Sequence, residues 1–187
     1  MEHEASRKRR RLNDKIVIVI NGKGGVGKDA LCELAARLFY VKTISSITPV
    51  KQVAALCGWK GEKDGKARKF LADLKQLLIA YNDLPNQYLA REVQAFRRDP
   101  ALDILFVHIR EAEQIDAFLR LTGGKAATLL VRSGRPGLSA VYGNSADDDV
   151  EQYQYGYIFD NDCALEDLPR EVERFMTALL EREELLD

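Results

Sequence analysis

Residues 15–21 read Lys-Ile-Val-Ile-Val-Ile-Asn, and the next eight residues, Gly22-Lys23-Gly24-Gly25-Val26-Gly27-Lys28-Asp29, include four glycines. An unbroken run of Ile and Val implies a strand buried on both faces, as at the centre of a parallel sheet. A glycine-rich turn behind such a strand lets backbone N–H groups turn inward toward an anion. A helix opening at about Gly27 adds partial positive charge at the same point. The spacing of Gly22, Gly27 and Lys28 fits the phosphate-cradling loop G-x-x-x-x-G-K-[ST] in all but its last position, where Asp29 stands for Ser or Thr. Lys28 would reach the β- and γ-phosphates of a nucleotide. Such a loop implies ATP or GTP binding and, by itself, no reaction.

The rest of the chain repeats the alternation of strand and helix. The first helix runs from about 27 to 40, with Leu31, Leu34, Ala35, Leu38 and Phe39 at helical spacing. A short strand follows at 41–46, then a helix at 49–57 opened by Pro49, a residue suited to a first helical turn. Ala67, Phe70, Leu71, Leu74, Leu77, Leu78 and Tyr81 form an amphipathic stripe, broken at Asn82-Asp83-Leu84-Pro85 and followed by a helix at 86–98. Residues 103–109 are the third strand, and a helix carrying Ala112, Ile115, Phe118 and Leu119 stops at Gly123-Gly124. The fourth strand is 126–132, and a short fifth lies at 156–159. Between these two, the polar, Gly-bearing stretch 133–154 reads as a loop, with Ser145 and Asp148 spaced to cap a short helix. Asp162 is placed to cap the last helix, whose apolar face is Leu165, Leu168, Val172, Phe175, Met176 and Leu179.

This order implies an α/β fold: a three-layer αβα arrangement with a parallel sheet of about five strands and helices on both faces. A single domain over 15–187 would follow a disordered leader over 1–14. That leader holds the basic run Arg7-Lys8-Arg9-Arg10-Arg11, read as a solvated tail. Over the whole chain the charges nearly cancel, with 28 Lys+Arg against 29 Asp+Glu, so bulk charge does not favour a nucleic-acid partner. No apolar stretch is long enough to span a membrane, and the N-terminus lacks a signal-peptide pattern. Cys32, Cys57 and Cys163 are too scattered for a metal site or a disulfide framework, and suit free thiols in a reducing cytoplasm. The oligomeric state is left open.

Ligands of such sheets bind beyond the carboxyl ends of the strands. Cations gather there: Lys51 after the second strand, Arg110 after the third, and Arg132 and Arg135 after the fourth. Lys66, Arg68, Lys69 and Arg91 lie on the helices between the second and third strands, as site residues or as a solvated face. Phosphoryl transfer requires positive charge of this kind around the moving group and an anionic acceptor. Asp29 has three readings: a ligand to Mg²⁺, a group orienting the acceptor, or a favourable charge at the helix N-terminus. A carboxylate beside a triphosphate needs a cation, which favours the Mg²⁺ reading. His108 reads as a packed residue of an apolar strand, and His3 belongs to the leader.

Taken together, these residues resemble a known group. Gly22-Lys23-Gly24-Gly25-Val26-Gly27-Lys28-Asp29 is similar to the Gly-Lys-Asp phosphate loop of bacteriophage-type deoxynucleoside monophosphate kinases and animal phosphomevalonate kinases. Thr48-Pro49-Val50-Lys51 resembles their Pro-Leu/Ile-Lys step, and Val107-His108-Ile109-Arg110 their strand-end Asp-x-Arg. The segment from Phe159 through Asn161, Asp162 and Leu165 to Leu168 resembles their Asn-Asp-Gly-x-Leu-x-x-Leu approach to the last helix. The resemblance covers most of 15–180. It implies an ATP- and Mg²⁺-dependent kinase acting on a phosphorylated small molecule, most closely a (deoxy)nucleoside monophosphate. The helical insert at about 49–98 would form the acceptor side and 133–154 a lid. The resemblance also implies that Gly22 to Asp29 hold nucleotide, that Arg110 holds the acceptor phosphate, and that Arg132 and Arg135 serve from the lid side; the positions of Lys51, Lys66, Arg68 and Arg91 make them further candidates on the acceptor side. Asn161 and Asp162 would sit near the adenine.

Two departures stand out. His108 replaces the family's Asp, with Glu111 as the nearest carboxylate that could compensate, and the lid carries an acidic Asp147-Asp148-Asp149 cluster. A second resemblance, to the signature-lysine loop of the MinD/ParA ATPases, would use Lys23 across a dimer. Those proteins have Thr where Asp29 stands. A nucleotide-binding module without turnover is the third reading.

Overall fold

The structure, a computed structural model, describes residues 8–134 and 150–186. The first strand, β1 (Ile16–Asn21), is buried along its whole length. Its side chains alternate between two cores. Ile16, Ile18 and Ile20 face one, and Val17 and Val19 face the other. This is why the run shows no polar alternation: both faces are covered.

The remaining strands are β2 (Val41–Ser45), β3 (Ile104–His108), β4 (Ala126–Arg132) and β5 (Tyr157–Asp160). All pairings are parallel, in the order β2-β3-β1-β4-β5. On one face lie α1 (Lys28–Leu38) and the last helix, Leu168–Arg182. There Leu31, Ala35 and Phe39 meet Val172, Met176 and Leu179 over the sheet. The other face is covered by α4 (Leu84–Arg98) and α5 (Ala112–Leu121), through Leu89, Val93, Phe96, Ile115 and Phe118. Burial of each such side chain stabilises the fold by about 1.5–3 kcal/mol. We call the last helix α6. The three-layer αβα reading of the sequence is thereby borne out.

Between β2 and β3, the chain forms α2 (Thr48–Leu56), α3 (Gly65–Asn82) and then α4. Asp64 accepts a hydrogen bond from the Ala67 N–H and caps α3. The break expected at 82–85 shrinks to Asp83 alone, in the left-handed conformation at φ 53°. Pro85 sits in the first turn of α4, where no intrahelical N–H is needed, so it starts the helix instead of stopping it. The stripe on α3 is also buried differently from expectation. Ala67 and Lys75 are its buried residues, while Phe70, Leu77 and Tyr81 are exposed. Leu71, Leu74, Leu78 and Ile79 are partly covered, which rotates the packed side toward Lys75.

Three further expectations are corrected. Residues 8–14 of the leader are not a loose tail. The Arg10 guanidinium lies over Phe39 and donates to Thr177 Oγ1, while that of Arg11 lies over Tyr40, pairs with Asp103 and donates to the Ala101 carbonyl. Aromatic faces and open carbonyls at the amino ends of the strands give these cations partners that a solvated tail lacks. Asp162 does not cap α6, which begins at Leu168 with Pro169 in its first turn. Its carboxylate instead accepts from the Gly134 N–H and the Ser133 hydroxyl. Leu165, placed before that start, is 78% exposed and off the buried face. The expected cap at Ser145 and Asp148 lies outside the described residues. No helix among the described residues is long and apolar enough to cross a membrane.

Candidate nucleotide and acceptor site

β1 is central, so its carboxyl end is flanked by those of β3 and β4. The chain leaves β1 through Asn21, only 1% exposed, which organises three segments at once. Its Oδ1 accepts from the Gly22 N–H at 2.8 Å. Its Nδ2 donates at 2.9 Å to both the Arg110 carbonyl and the Tyr155 hydroxyl. Tyr155 in turn donates to the Val150 carbonyl at 2.9 Å. The root of the glycine loop, the end of β3 and the segment before β5 thus meet at one amide. The sequence reading missed Asn21. Its signal was a polar residue closing a run that is otherwise apolar.

Within the loop, Gly22, Gly25 and Gly27 have φ of 148°, 81° and 97°, the left-handed region that favours glycine. Lys28 begins α1, and its ammonium donates to the carbonyls of Gly22 at 2.5 Å and Lys23 at 2.7 Å. The charge is therefore held over the mouth of the loop. Lys23 pairs with Glu151 at 3.4 Å. From below, Asn161 donates through Nδ2 to the Val26 carbonyl at 2.8 Å. The structure thus puts Asn161 under the loop as a buried prop. Asp162 is at the loop's β4 side, on Ser133 and Gly134.

Asp29 projects from the first turn of α1 with its side chain 91% exposed. A cation bound by one carboxylate plus nucleotide phosphates is the usual mode for Mg²⁺, and Asp29 fits it. No group of three or more His, Cys, Asp or Glu among the described residues could cage a metal without such help. Across from Asp29, His108 Nε2 lies 3.9 Å from Oδ1 and 3.8 Å from Cys32 Sγ. The side chain read as core packing thus faces the loop. Burial pushes the His108 pKa below its usual 6.5; Asp29 opposes the shift, and Lys28 and Arg110 add to it. Burial also pushes the Cys32 thiol up to about 12, which leaves it without nucleophilic character.

The depressed His108 pKa has a sign that can be checked. The native state binds this proton more weakly than the unfolded chain does, so stability is full above pH 6.5 and declines as pH falls below it. Replacing His108 with Gln is expected to flatten that part of the profile. Urea unfolding midpoints at pH 7.5 and pH 5.5 would test this, and an equal decline in both proteins would refute it.

Arg110 is exposed at the end of β3, next to the loop root. Arg132 ends β4 and is bound through its guanidinium to the Asp160 carboxylate of β5, so its charge already has a partner. Lys51, Lys66 and Arg68 are exposed at the beginnings of α2 and α3. Arg91 is not brought to the loop. It lines a separate groove of about 460 Å³ between α2 and α4, with Pro49, Val53, Leu56 and Tyr88, and donates to the Gln87 carbonyl of its own helix. Glu111, the carboxylate that could compensate for the missing strand-end Asp, is held through Oε1 at 2.6 Å by Lys75 of α3. Arg135 and the Asp147-Asp148-Asp149 cluster lie outside the described residues.

A five-stranded parallel sheet in this order, with a G-x-x-x-x-G-K loop between its central strand and α1, defines the P-loop kinase fold. Solved structures agree. A tunicamycin resistance protein from Deinococcus radiodurans superposes with a TM-score of 0.53 at 14% identity, over 86% of this chain and 94% of that one. A gluconokinase from Sinorhizobium meliloti 1021 does so with a TM-score of 0.50 at 16% identity, over 94% and 98%. At such identities the likeness is one of fold. No protein-family model matches the sequence, and no curated protein does.

Proposed function

We propose that this protein is an ATP- and Mg²⁺-dependent phosphotransferase whose acceptor is a phosphorylated small molecule, with (deoxy)nucleoside monophosphates the first class to test. One observation carries this reading. Arg110 is tied by its own carbonyl to Asn21, the residue that also holds the Gly22 N–H. The backbone that carries a cation suited to an acceptor phosphate thus lies next to the loop suited to the donor phosphates. In-line transfer needs that geometry and charge more than it needs a base, since a phosphate oxygen is already anionic at neutral pH. Lys28 would hold the β- and γ-phosphates, and Asp29 would help position Mg²⁺, which supplies charge neutralisation at the transferring group. Lys51, Lys66 and Arg68 would add positive potential on the acceptor side.

Replacing Arg110 with Ala is expected to raise the acceptor KM about 10- to 100-fold while leaving the KM for ATP within about twofold. Acceptor-dependent ADP release across a panel of nucleoside and deoxynucleoside monophosphates, with phosphomevalonate included, provides the measurement. Equal changes in both KM values would remove Arg110 from the acceptor side. The MinD/ParA-like reading needs Lys23 to reach across a dimer, whereas here it pairs with Glu151 of its own chain. ATP-dependent dimerisation without acceptor turnover would favour that reading instead.

A further inference from the structure

Lys75 is the buried cation of α3, with its side chain 7% exposed. It donates to Glu111 Oε1 at 2.6 Å, a contact that leaves two of the ammonium's three N–H groups for other acceptors. The other oxygen, Glu111 Oε2, is buried and has no hydrogen-bond partner among the described residues. The Glu111 side chain as a whole is 29% exposed although Oε2 itself is covered, so a turn of the carboxylate would bring that oxygen to the surface. Glu111 directly follows Arg110 and precedes α5, so the pair adjoins the proposed acceptor cation.

A buried ion pair is a poor way to pin a helix. Desolvation offsets most of the attraction, and an apolar pair of similar volume serves as well or better. An unpartnered carboxylate oxygen adds a further cost. The pair is better explained by a group that arrives with a ligand. That group must donate to Glu111 Oε2 and can accept from Lys75 Nζ. A hydroxyl does both with one oxygen.

We infer that Lys75 and Glu111 form a subsite that reads a free hydroxyl on the acceptor, within about one sugar ring of the phosphate held by Arg110. This rests on the phosphotransferase reading and narrows it to hydroxyl-bearing phosphorylated acceptors, such as ribose or other sugar phosphates. Glu111 accepts from the hydroxyl, Lys75 donates to it, and neither enters the chemical step.

The test pairs a deletion on the ligand with a deletion on the protein. Ribonucleoside monophosphates and pentose and hexose phosphates are compared with their single-deoxy analogues, using wild-type protein, Glu111→Gln and the apolar pair Lys75→Met/Glu111→Leu. ADP release gives kinetics. The fluorescence of Trp59, the single tryptophan, set in the turn between α2 and α3, gives binding without turnover. In the wild type, removing the hydroxyl that is read should raise the acceptor KM tenfold or more. In both variants the hydroxyl-bearing and deoxy compounds should bind alike, with the ATP KM unchanged. If both variants keep the wild-type preference, the pair only pins α3 and the hydroxyl subsite is overturned while the kinase reading stands. If no compound produces ADP or changes Trp59 fluorescence in the wild type, the kinase reading falls and the subsite with it.

Discussion

Replacing Lys28 with alanine is expected to lower acceptor-dependent ADP formation at least about 100-fold, the effect of removing one preorganised charged donor from a site of developing phosphate charge. The geometry suggests two losses at once. The ammonium closes the loop by donating to the Gly22 and Lys23 carbonyls, and the same charge would meet the β- and γ-phosphates. Arginine should not rescue it. A planar guanidinium is broader than an ammonium and cannot sit between carbonyls spaced for a point charge. Nucleotide titration and ADP release with the Ala and Arg variants would measure both effects, with circular dichroism as a check on folding. Wild-type turnover in the Ala variant would show that Lys28 has no role at phosphate, and wild-type turnover in the Arg variant would show that any cation serves there.

The sequence was most legible where one physical demand acted on contiguous residues. A strand buried on both faces must be apolar throughout, so β1 and β3 could be read directly, and the Gly22–Lys28 spacing located the turn between β1 and α1. Legibility failed where the outcome depended on residues distant in sequence. The leader's arginines became structural only because Phe39, Tyr40 and the turn before β3 presented rings and carbonyls to them. Which side of α3 would be buried could not be read from Phe70, Leu77 and Tyr81, because the buried Lys75 meets its partner in Glu111, a residue 36 positions further along the chain. Asn161 was readable as part of a motif near the nucleotide. Its place beneath Val26 follows from the β4–β5 pairing that brings the end of β5 under the loop. His108 illustrates both sides. Its apolar neighbours correctly signalled a buried strand, but its terminal position turned it toward Asp29.

Replacing Gly22 with alanine should be far more damaging than the same change at Gly27 or Gly58, costing about 3 kcal/mol or more, out of a total stability that for such domains is only about 5–15 kcal/mol. A Cβ at Gly22 would lie 2.2 Å from the Val131 carbonyl oxygen and 3.0 Å from Val26 Cγ2. The first of these is backbone of β4, locked to β1 by the sheet register that sets Asn21 beside Leu130. No rotamer change can relieve it, so either the β1–β4 pair opens or the loop turns away from its phosphate-binding form. Gly27 is instructive by contrast. Its Cβ would meet Asn161 Nδ2 at 2.4 Å, the mobile end of a side chain. That amide can swing aside at the expense of its bond to the Val26 carbonyl, a loss of about 1–2 kcal/mol. Gly58 supplies the baseline: it has φ 93° and nothing within 4 Å of its Cβ, so Gly58→Ala reports the backbone strain alone, about 1–2 kcal/mol. Urea unfolding of the three variants should therefore rank Gly22→Ala well below Gly27→Ala, with Gly58→Ala nearest the wild type. Nucleotide titration should show Gly27→Ala folded but weakened in binding, because Asn161 no longer props the loop. Should Gly22→Ala unfold at the wild-type midpoint and bind nucleotide normally, the close approach of β4 to the loop root would be wrong, and with it the placement of the phosphates over β1.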